Sequence, residues 1–127
     1  MRIKLSVLIF IGLLSLVGCG FFGSGPSQTA QDFFEAAEAG DSDAVYSMMS
    51  TNAIRRFSKD KIDMGIESRA RQIQNKGGIQ SIEITREDIV ENTAVVVVDI
   101  TYGNGQVETE TVPMVKENGE WHIDVEK

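Results

Sequence analysis

The chain has 127 residues, with 12 basic and 19 acidic side chains and a formal net charge of −7 at pH 7. This length suits one domain of ordinary size, and the acidic balance argues against nucleic-acid binding by counterion release. With a single cysteine, an intramolecular disulfide is excluded. We expect no metal and no cofactor, because the sequence contains no ligand cluster, phosphate-binding glycine loop or nucleophile elbow.

Residues 1–18 have the pattern of an export signal. Arg2 and Lys4 provide positive charge, and residues 5–17 are then almost wholly apolar. The apolar run is shorter than the roughly 20 residues that a membrane-spanning helix needs. The pattern therefore predicts a signal peptide that directs the protein out of the cytoplasm.

The last residues of this segment carry a specific motif. Leucine, valine and glycine precede Cys19 at positions 16–18, and the tetrapeptide resembles the lipobox of bacterial lipoproteins. The resemblance implies that the Cys19 sulfur carries a diacylglyceryl group and that a signal peptidase cuts between Gly18 and Cys19. The alternative is a signal-like helix that happens to contain a buried cysteine. We predict a lipid anchor in a bacterial cell envelope, on the periplasmic side of the outer membrane if the organism is Gram-negative.

Residues 19–28 are predicted to be a flexible tether. The segment contains three glycines, two serines and a proline, a composition typical of flexible linkers. Phe21 and Phe22 either enter the lipid interface beside the acyl chains or are merely tolerated in the tether. The globular domain is then expected to span residues 29–127.

Three helices are predicted next, because apolar residues recur there with helical spacing. The first starts at a Ser27 or Thr29 cap and ends at Gly40. The second begins at an Asp41 cap and the third at Ser58. Their apolar stripes are Ala30, Phe33, Phe34 and Ala37; Ala44, Val45, Met48 and Met49; and Ile62, Ile66, Ala70 and Ile73.

After residue 78 the hydrophobic period changes to two, which predicts a meander of four antiparallel strands. A β-branched run covers residues 94–100, and Asn-Gly pairs at 104–105 and 118–119 are hairpin signals. The predicted fold class is α+β, with three N-terminal helices packed on one four-stranded sheet.

Several segments resemble a known family. They are Phe-Phe-Glu-Ala with Gly-Asp at 33–41, Gly-Gly-Ile at 77–79 and Lys-Glu-Asn-Gly-Glu-Trp at 116–121. With the lipobox and the order of elements, they resemble small bacterial lipoproteins of unknown function that have a nuclear transport factor 2-like, or cystatin-like, domain. The resemblance covers nearly all of residues 29–127 and implies a curved sheet wrapped around a long helix, with room for a pocket inside the cone.

Function is less constrained, because this fold includes isomerases, dehydratases and binding modules. We expect a non-catalytic domain that binds an envelope protein or a small apolar ligand. The alternatives are a structural spacer and a proton-transfer enzyme that uses Asp99 as base, with Tyr46 or Tyr102 at the same pocket. Asp99 points either into the cone or, as we favour, outward. His122, the only histidine, is expected to face solvent.

The strand at 94–100 is apolar on both of its faces. Val95 and Val97 share a face with Asp99, and a sheet covered on one side should be polar on the other. Two interpretations are open: a homodimer that covers this face, or two valines tolerated on the surface.

Overall fold

The computed structural model describes residues 25–126; the predicted signal peptide, the cleavage site and Cys19 lie outside these residues. The described chain forms four helices and then four strands. Their bounds are α1 Pro26–Ala39, α2 Ser42–Met48, α3 Thr51–Arg56, α4 Lys59–Asn75, β1 Ile79–Val90, β2 Thr93–Tyr102, β3 Val107–Glu117 and β4 Glu120–Ile123. The predicted α+β class and the four strands are confirmed.

The fourth helix, α3, was not predicted from the sequence. Met49, assigned to the second helix, is extended with a ψ of 147° and forms a parallel bridge with Ile123. The backbone N–H of Ser50 donates to the carbonyl oxygen of Ile123 at 2.8 Å. The Ser50 hydroxyl then accepts from the N–H of Ala53 at 3.0 Å and caps α3. The helical stretch is divided because β4 holds residues 49 and 50 in extended form.

Helix α1 begins earlier than predicted, within the expected tether. Its N-cap is Gly25, which has no capping side chain, and Pro26 occupies the first turn, where its missing N–H costs nothing. The carboxylate of Glu87 in β1 accepts hydrogen bonds from the backbone N–H of Ser27, at 3.1 Å, and from its hydroxyl. A carboxylate from the sheet therefore satisfies the N-terminus of α1. The predicted end at Gly40 is confirmed by its φ of 68°.

The four strands form one antiparallel sheet in sequence order, and its helix-facing side carries the core. Alternate residues of β2, from Ala94 to Tyr102, are buried on that side and pack with Phe34 of α1. A second cluster, among the helices, surrounds Val45. Strand alternation places Val95, Val97 and Asp99 on the opposite, outward side.

The loop after α4 lies against the turn between β2 and β3. The N–H of Gly103 donates to the carbonyl oxygen of Gly78, and that of Asn104 to the carbonyl oxygen of Lys76, both at 2.9 Å. A Cβ atom on Gly103 would lie 2.3 Å from the carbonyl oxygen of Gly77. Only glycine allows this approach of the two backbones.

We expect Gly103→Ala to lower the free energy of unfolding by about 2–3 kcal/mol, because the two loops must move apart. Gly65→Ala is the matched control. Gly65 is exposed in α4, and an added Cβ would meet no heavy atom within 4 Å, so alanine there should raise stability by about 0.5–1 kcal/mol. Urea denaturation measures both variants, and changes of the same sign would contradict this contact.

Candidate functional site

The three residues predicted for a pocket lie in different places. Asp99 is on the outward side of the sheet, where its carboxylate accepts from the hydroxyl of Thr109 at 2.6 Å. Tyr102 is buried on the helix-facing side, and Tyr46 of α2 packs against the cluster around Val45. The outward position that we favoured for Asp99 is therefore observed, and the alternative in which Asp99 shares a pocket with a tyrosine does not fit these positions. Strand alternation alone separates residues 99 and 102, which are three positions apart.

Tyr102 belongs to a charged contact between α4 and β3. Its hydroxyl donates to Glu108 at 3.0 Å, and Glu108 forms an ion pair with Lys76, whose Nζ lies 4.7 Å from the centre of the tyrosine ring. Burial and then the hydrogen bond to Glu108 raise the pKa of Tyr102 to about 12. Lys76 is the main cause that lowers the pKa of Glu108.

The titration of Tyr102 gives a testable pH dependence. Its pKa rises from 10.0 to about 12 on folding, so folding favours the protonated phenol. The resulting stabilisation should be complete below pH 10 and lost as the pH rises towards 12. In a Tyr46→Phe background, ultraviolet absorbance of tyrosinate follows Tyr102 alone. Glu108→Gln should lower the pH midpoint of the Tyr102 titration but leave it above 10, because the phenol remains buried. If Tyr102 titrates with a midpoint of 10 while Glu108 is still present, the contact is contradicted.

A second ion pair, between Arg69 of α4 and Glu110 of β3, lies beside the first. The Arg69 guanidinium is 5.4 Å from the centre of the Phe34 ring, and its Nε is buried without a hydrogen-bond partner among residues 25–126. Lys59 and Arg71 pair with acidic residues of the helices. Residues 55–76 contain seven lysines and arginines, and four of them therefore pair with acidic residues within the described domain.

A cleft of about 280 Å³ lies at the free edge of β4. The extended residues 49 and 50 contact the end of β4 at Ile123, and the Ser50 hydroxyl donates to the Asp124 carboxylate at 2.7 Å. The rest of β4 and its hairpin turn therefore face the start of α1 and the end of α2 across open space. The lining residues are Thr29 and Asp32 of α1, Ser47 and Met48 of α2, and Gly119, Glu120, Trp121 and His122 of the hairpin.

We call this cleft the β4 cleft and take it as the candidate site, because it brings an aromatic ring and carboxylates together. Trp121 is partly buried against the core, and the Nζ atom of Lys116 lies 5.8 Å from its ring centre. His122 lies on the other side of β4 from Trp121, as its alternation predicted, because its partner Val115 pairs with Thr93 on the outward side of the sheet. It is half-buried rather than open to solvent, and its Nδ1 is buried without a partner in the described part of the chain.

The charge in the β4 cleft is negative. Asp32 and Glu120 are its acidic residues, and its lining contains no lysine or arginine. Asp32 accepts a hydrogen bond from the Gln28 amide at 2.8 Å, which holds its carboxylate in place. Asp32 was missed because it lies 88 positions before Glu120 and belongs to no local motif. Trp121, as the single tryptophan, was the signal that could have marked this edge.

A second cleft, of about 260 Å³, lies between α1 and the start of β1. Glu38 contributes to it, but the Glu38 carboxylate already accepts a hydrogen bond from the backbone N–H of Ile79 at 2.5 Å.

Among residues 25–126, no three His, Cys, Asp or Glu side chains are grouped to hold a metal ion. None of the described helices has the length and apolar character needed to cross a membrane.

Helices packed on one side of a four-stranded antiparallel meander form the α+β fold found in solved structures described as nuclear transport factor 2-like, or NTF2-like. A protein from Campylobacter jejuni, provisionally named an NTF2-like transpeptidase, is similar over 81% of this chain and 100% of its own, with 22% identity and a TM-score of 0.72. A cystatin-fold protein from Novosphingobium aromaticivorans is similar over 80% of this chain and 97% of its own, with 18% identity and a TM-score of 0.52. At these identities the likeness shows the fold alone.

The family is shown by the sequence match. Residues 17–124 match the model of DUF4878, a domain of unknown function, and the chain belongs to this family. No curated protein matches the chain.

Proposed function

We propose that this protein is a lipid-anchored binding protein of the bacterial cell envelope and that the β4 cleft holds its ligand. The anchor is inferred from the lipobox ending at Cys19, outside the described residues. The observation that carries the binding role is the composition of the β4 cleft, whose lining brings Trp121 and Glu120 of β4 together with Asp32 of α1.

The chemistry of the cleft favours a ligand with a positively charged amine. Asp32 and Glu120 supply negative charge, and the face of an indole attracts cations. Lys116 already lies over the Trp121 ring from outside the cleft. A lysine side chain or a peptide amino group of another envelope component would meet both features. This is a more polar ligand than the apolar molecule that the sequence suggested.

The side-chain contacts give the enzymatic alternative little support. Proton transfer was expected to use Asp99, which is on the outward side of the sheet and bound by Thr109. Transpeptidation, after the name of the Campylobacter protein, requires an activated nucleophile. The only hydroxyl beside His122 on the α2 wall is that of Ser47, which donates to the carbonyl oxygen of Ala44 at 2.7 Å. These contacts support a non-catalytic role.

Trp121 fluorescence tests the binding role directly, because the chain has one tryptophan. We expect trilysine to shift the emission of the full-length protein in detergent micelles saturably, and triglutamate to have no effect. Asp32→Asn should weaken trilysine binding about 2–5-fold, since a partly exposed ion pair contributes roughly 0.5–1 kcal/mol. Glu35→Gln, an exposed acid on the same helix outside the cleft, should leave the affinity unchanged. Equal losses in the two variants would contradict the site.

A homodimer through the outward side of the sheet is part of the proposal. Val95 is 38% exposed there, and Val97 lies beside it with the ion pair of Arg86 and Asp88 along one flank. Burial of the two valines against a second copy would remove apolar surface from water. Native mass spectrometry of the detergent-extracted protein reports the subunit number.

A further inference from the structure

One apolar residue on the helix-facing side of the sheet is left uncovered. Ile89 pairs with Ala94 in the sheet and shares its side with Glu87, which pairs with Val96. Ala94 is 4% exposed and Val96 is 0% exposed, but Ile89 is 50% exposed. Ile89 is therefore on the side of the sheet that carries the core, at a corner that no described helix covers.

The corner is open because of where α1 begins. The helix runs antiparallel to β1, since Ser27 at its start contacts Glu87 and Glu38 near its end contacts Ile79. Ile89 is two residues beyond Glu87, about 7 Å along the strand. The preceding chain enters α1 at this end of the sheet, next to the exposed corner.

The sequence before Gly25 contains two phenylalanines, Phe21 and Phe22, in the predicted tether. Phe22 is three residues before Gly25, so its Cα lies within about 11 Å of that of Gly25 even when the chain is fully extended. Ser27, two residues after Gly25, already contacts Glu87, so a segment of this length can extend from Gly25 towards Ile89. Phe21 and Phe22 are also the only large apolar side chains between Cys19 and Pro26.

We propose that Phe21 and Phe22 pack on Ile89 and cover the exposed corner of the helix-facing side. The phenylalanines then act as a fixed connection between anchor and domain in place of a free tether. Cys19, three residues before Phe22, is held near the turn between β1 and β2. The turn between β3 and β4 is at the same end, because Val115 pairs with Thr93. With the lipid anchor of the proposed function at Cys19, that end of the sheet faces the membrane.

Photo-crosslinking in native bacterial membranes tests this contact on the full-length chain. Phe22 is replaced by p-benzoylphenylalanine, which keeps an aromatic ring and reacts with whatever it touches, and peptide mass spectrometry locates the adduct. We expect an intrachain adduct at residues 87–90. The same probe at Phe57, an aromatic residue that is 42% exposed on the helical side, should give no adduct in β1.

Two neighbouring variants separate a specific contact from general loss of apolar surface. Ile89→Ser should remove most of the adduct. Val90→Ser should retain it, because Val90 is 68% exposed but points to the opposite side of the strand. Both positions are exposed, and unchanged urea midpoints would show that the variants fold.

The remaining outcomes overturn the proposal. Adducts mainly with lipid would make the membrane the partner of Phe22, and adducts mainly with another chain would indicate an intermolecular contact. Equal loss in the two serine variants, or no adduct at all, would also refute the packing. The contact does not depend on lipidation, so a Cys19→Ser background should give the same intrachain adduct even if the proposed anchor proves incorrect.

Discussion

Cys19→Ser should abolish lipid attachment and prevent removal of residues 1–18. The lipobox resemblance implies that cleavage follows modification of the cysteine sulfur, so a serine should stop both steps. Each buried methylene contributes about 0.8 kcal/mol to membrane binding, and two chains hold firmly where one holds marginally. The free energy of membrane binding that is lost with the acyl chains is therefore larger than the contribution of any single contact within the domain. Metabolic labelling with palmitate and intact mass measure the two effects.

Mass is the decisive measurement, because an uncut signal segment can itself retain the protein at the membrane. The wild-type chain should begin at Cys19 with a diacylglyceryl adduct, and the variant should keep the full signal without an adduct. Ser15→Ala, in the same apolar segment, is the matched control and should be processed normally. Palmitate label in Cys19→Ser, or a wild-type mass without any adduct, would refute the anchor.

Phe34→Ala should lower the free energy of unfolding by about 3–5 kcal/mol. Phe34 is 0% exposed and contacts the edge of Phe33 with ring centres 5.1 Å apart. Its ring also packs against the Arg69 guanidinium, and it belongs to the core cluster that contains β2. Truncation would leave a cavity between α1, α4 and the sheet. Domains of this size have a free energy of unfolding of about 5–15 kcal/mol. The loss in Phe34→Ala would therefore remove a large part of the stability of the domain.

Phe57→Ala provides the comparison for the same side-chain change. Phe57 is 42% exposed at the end of α3, and its truncation should cost less than about 1 kcal/mol. Chemical denaturation with far-ultraviolet circular dichroism measures both variants. Similar losses for Phe34 and Phe57 would show that the packing of α1 on the sheet contributes little to stability.

The strands and turns were predictable because their signals are local. A period of two placed alternate residues of β2 on the buried side. The Asn-Gly pairs mark hairpins, since a residue such as Asn118, with a φ of 51°, adopts the backbone that these turns need. Helix caps at Asp41 and Ser58 were also found, each accepting a backbone N–H three residues later.

The break between α2 and α3 and the start of α1 were not predictable in this way. Met49 has the apolar character of a helix residue, and only its pairing with Ile123 holds it extended. Helix α1 could extend to Pro26 because Glu87, 60 positions after Ser27, satisfies its first turn. Propensity and capping patterns contain no information about partners at such separations.

By itself, the sequence determined the class of fold, the order of the strands along the chain and a family resemblance that the match to DUF4878 confirmed. These follow from hydrophobic period and turn residues, which act over a few positions. Only the tertiary structure decided that Asp99 and Tyr102 are separated by the sheet and that Asp32 faces Trp121 across a cleft. A cleft wall is built from segments that meet only after the core has packed, so its members share no spacing that a sequence could reveal.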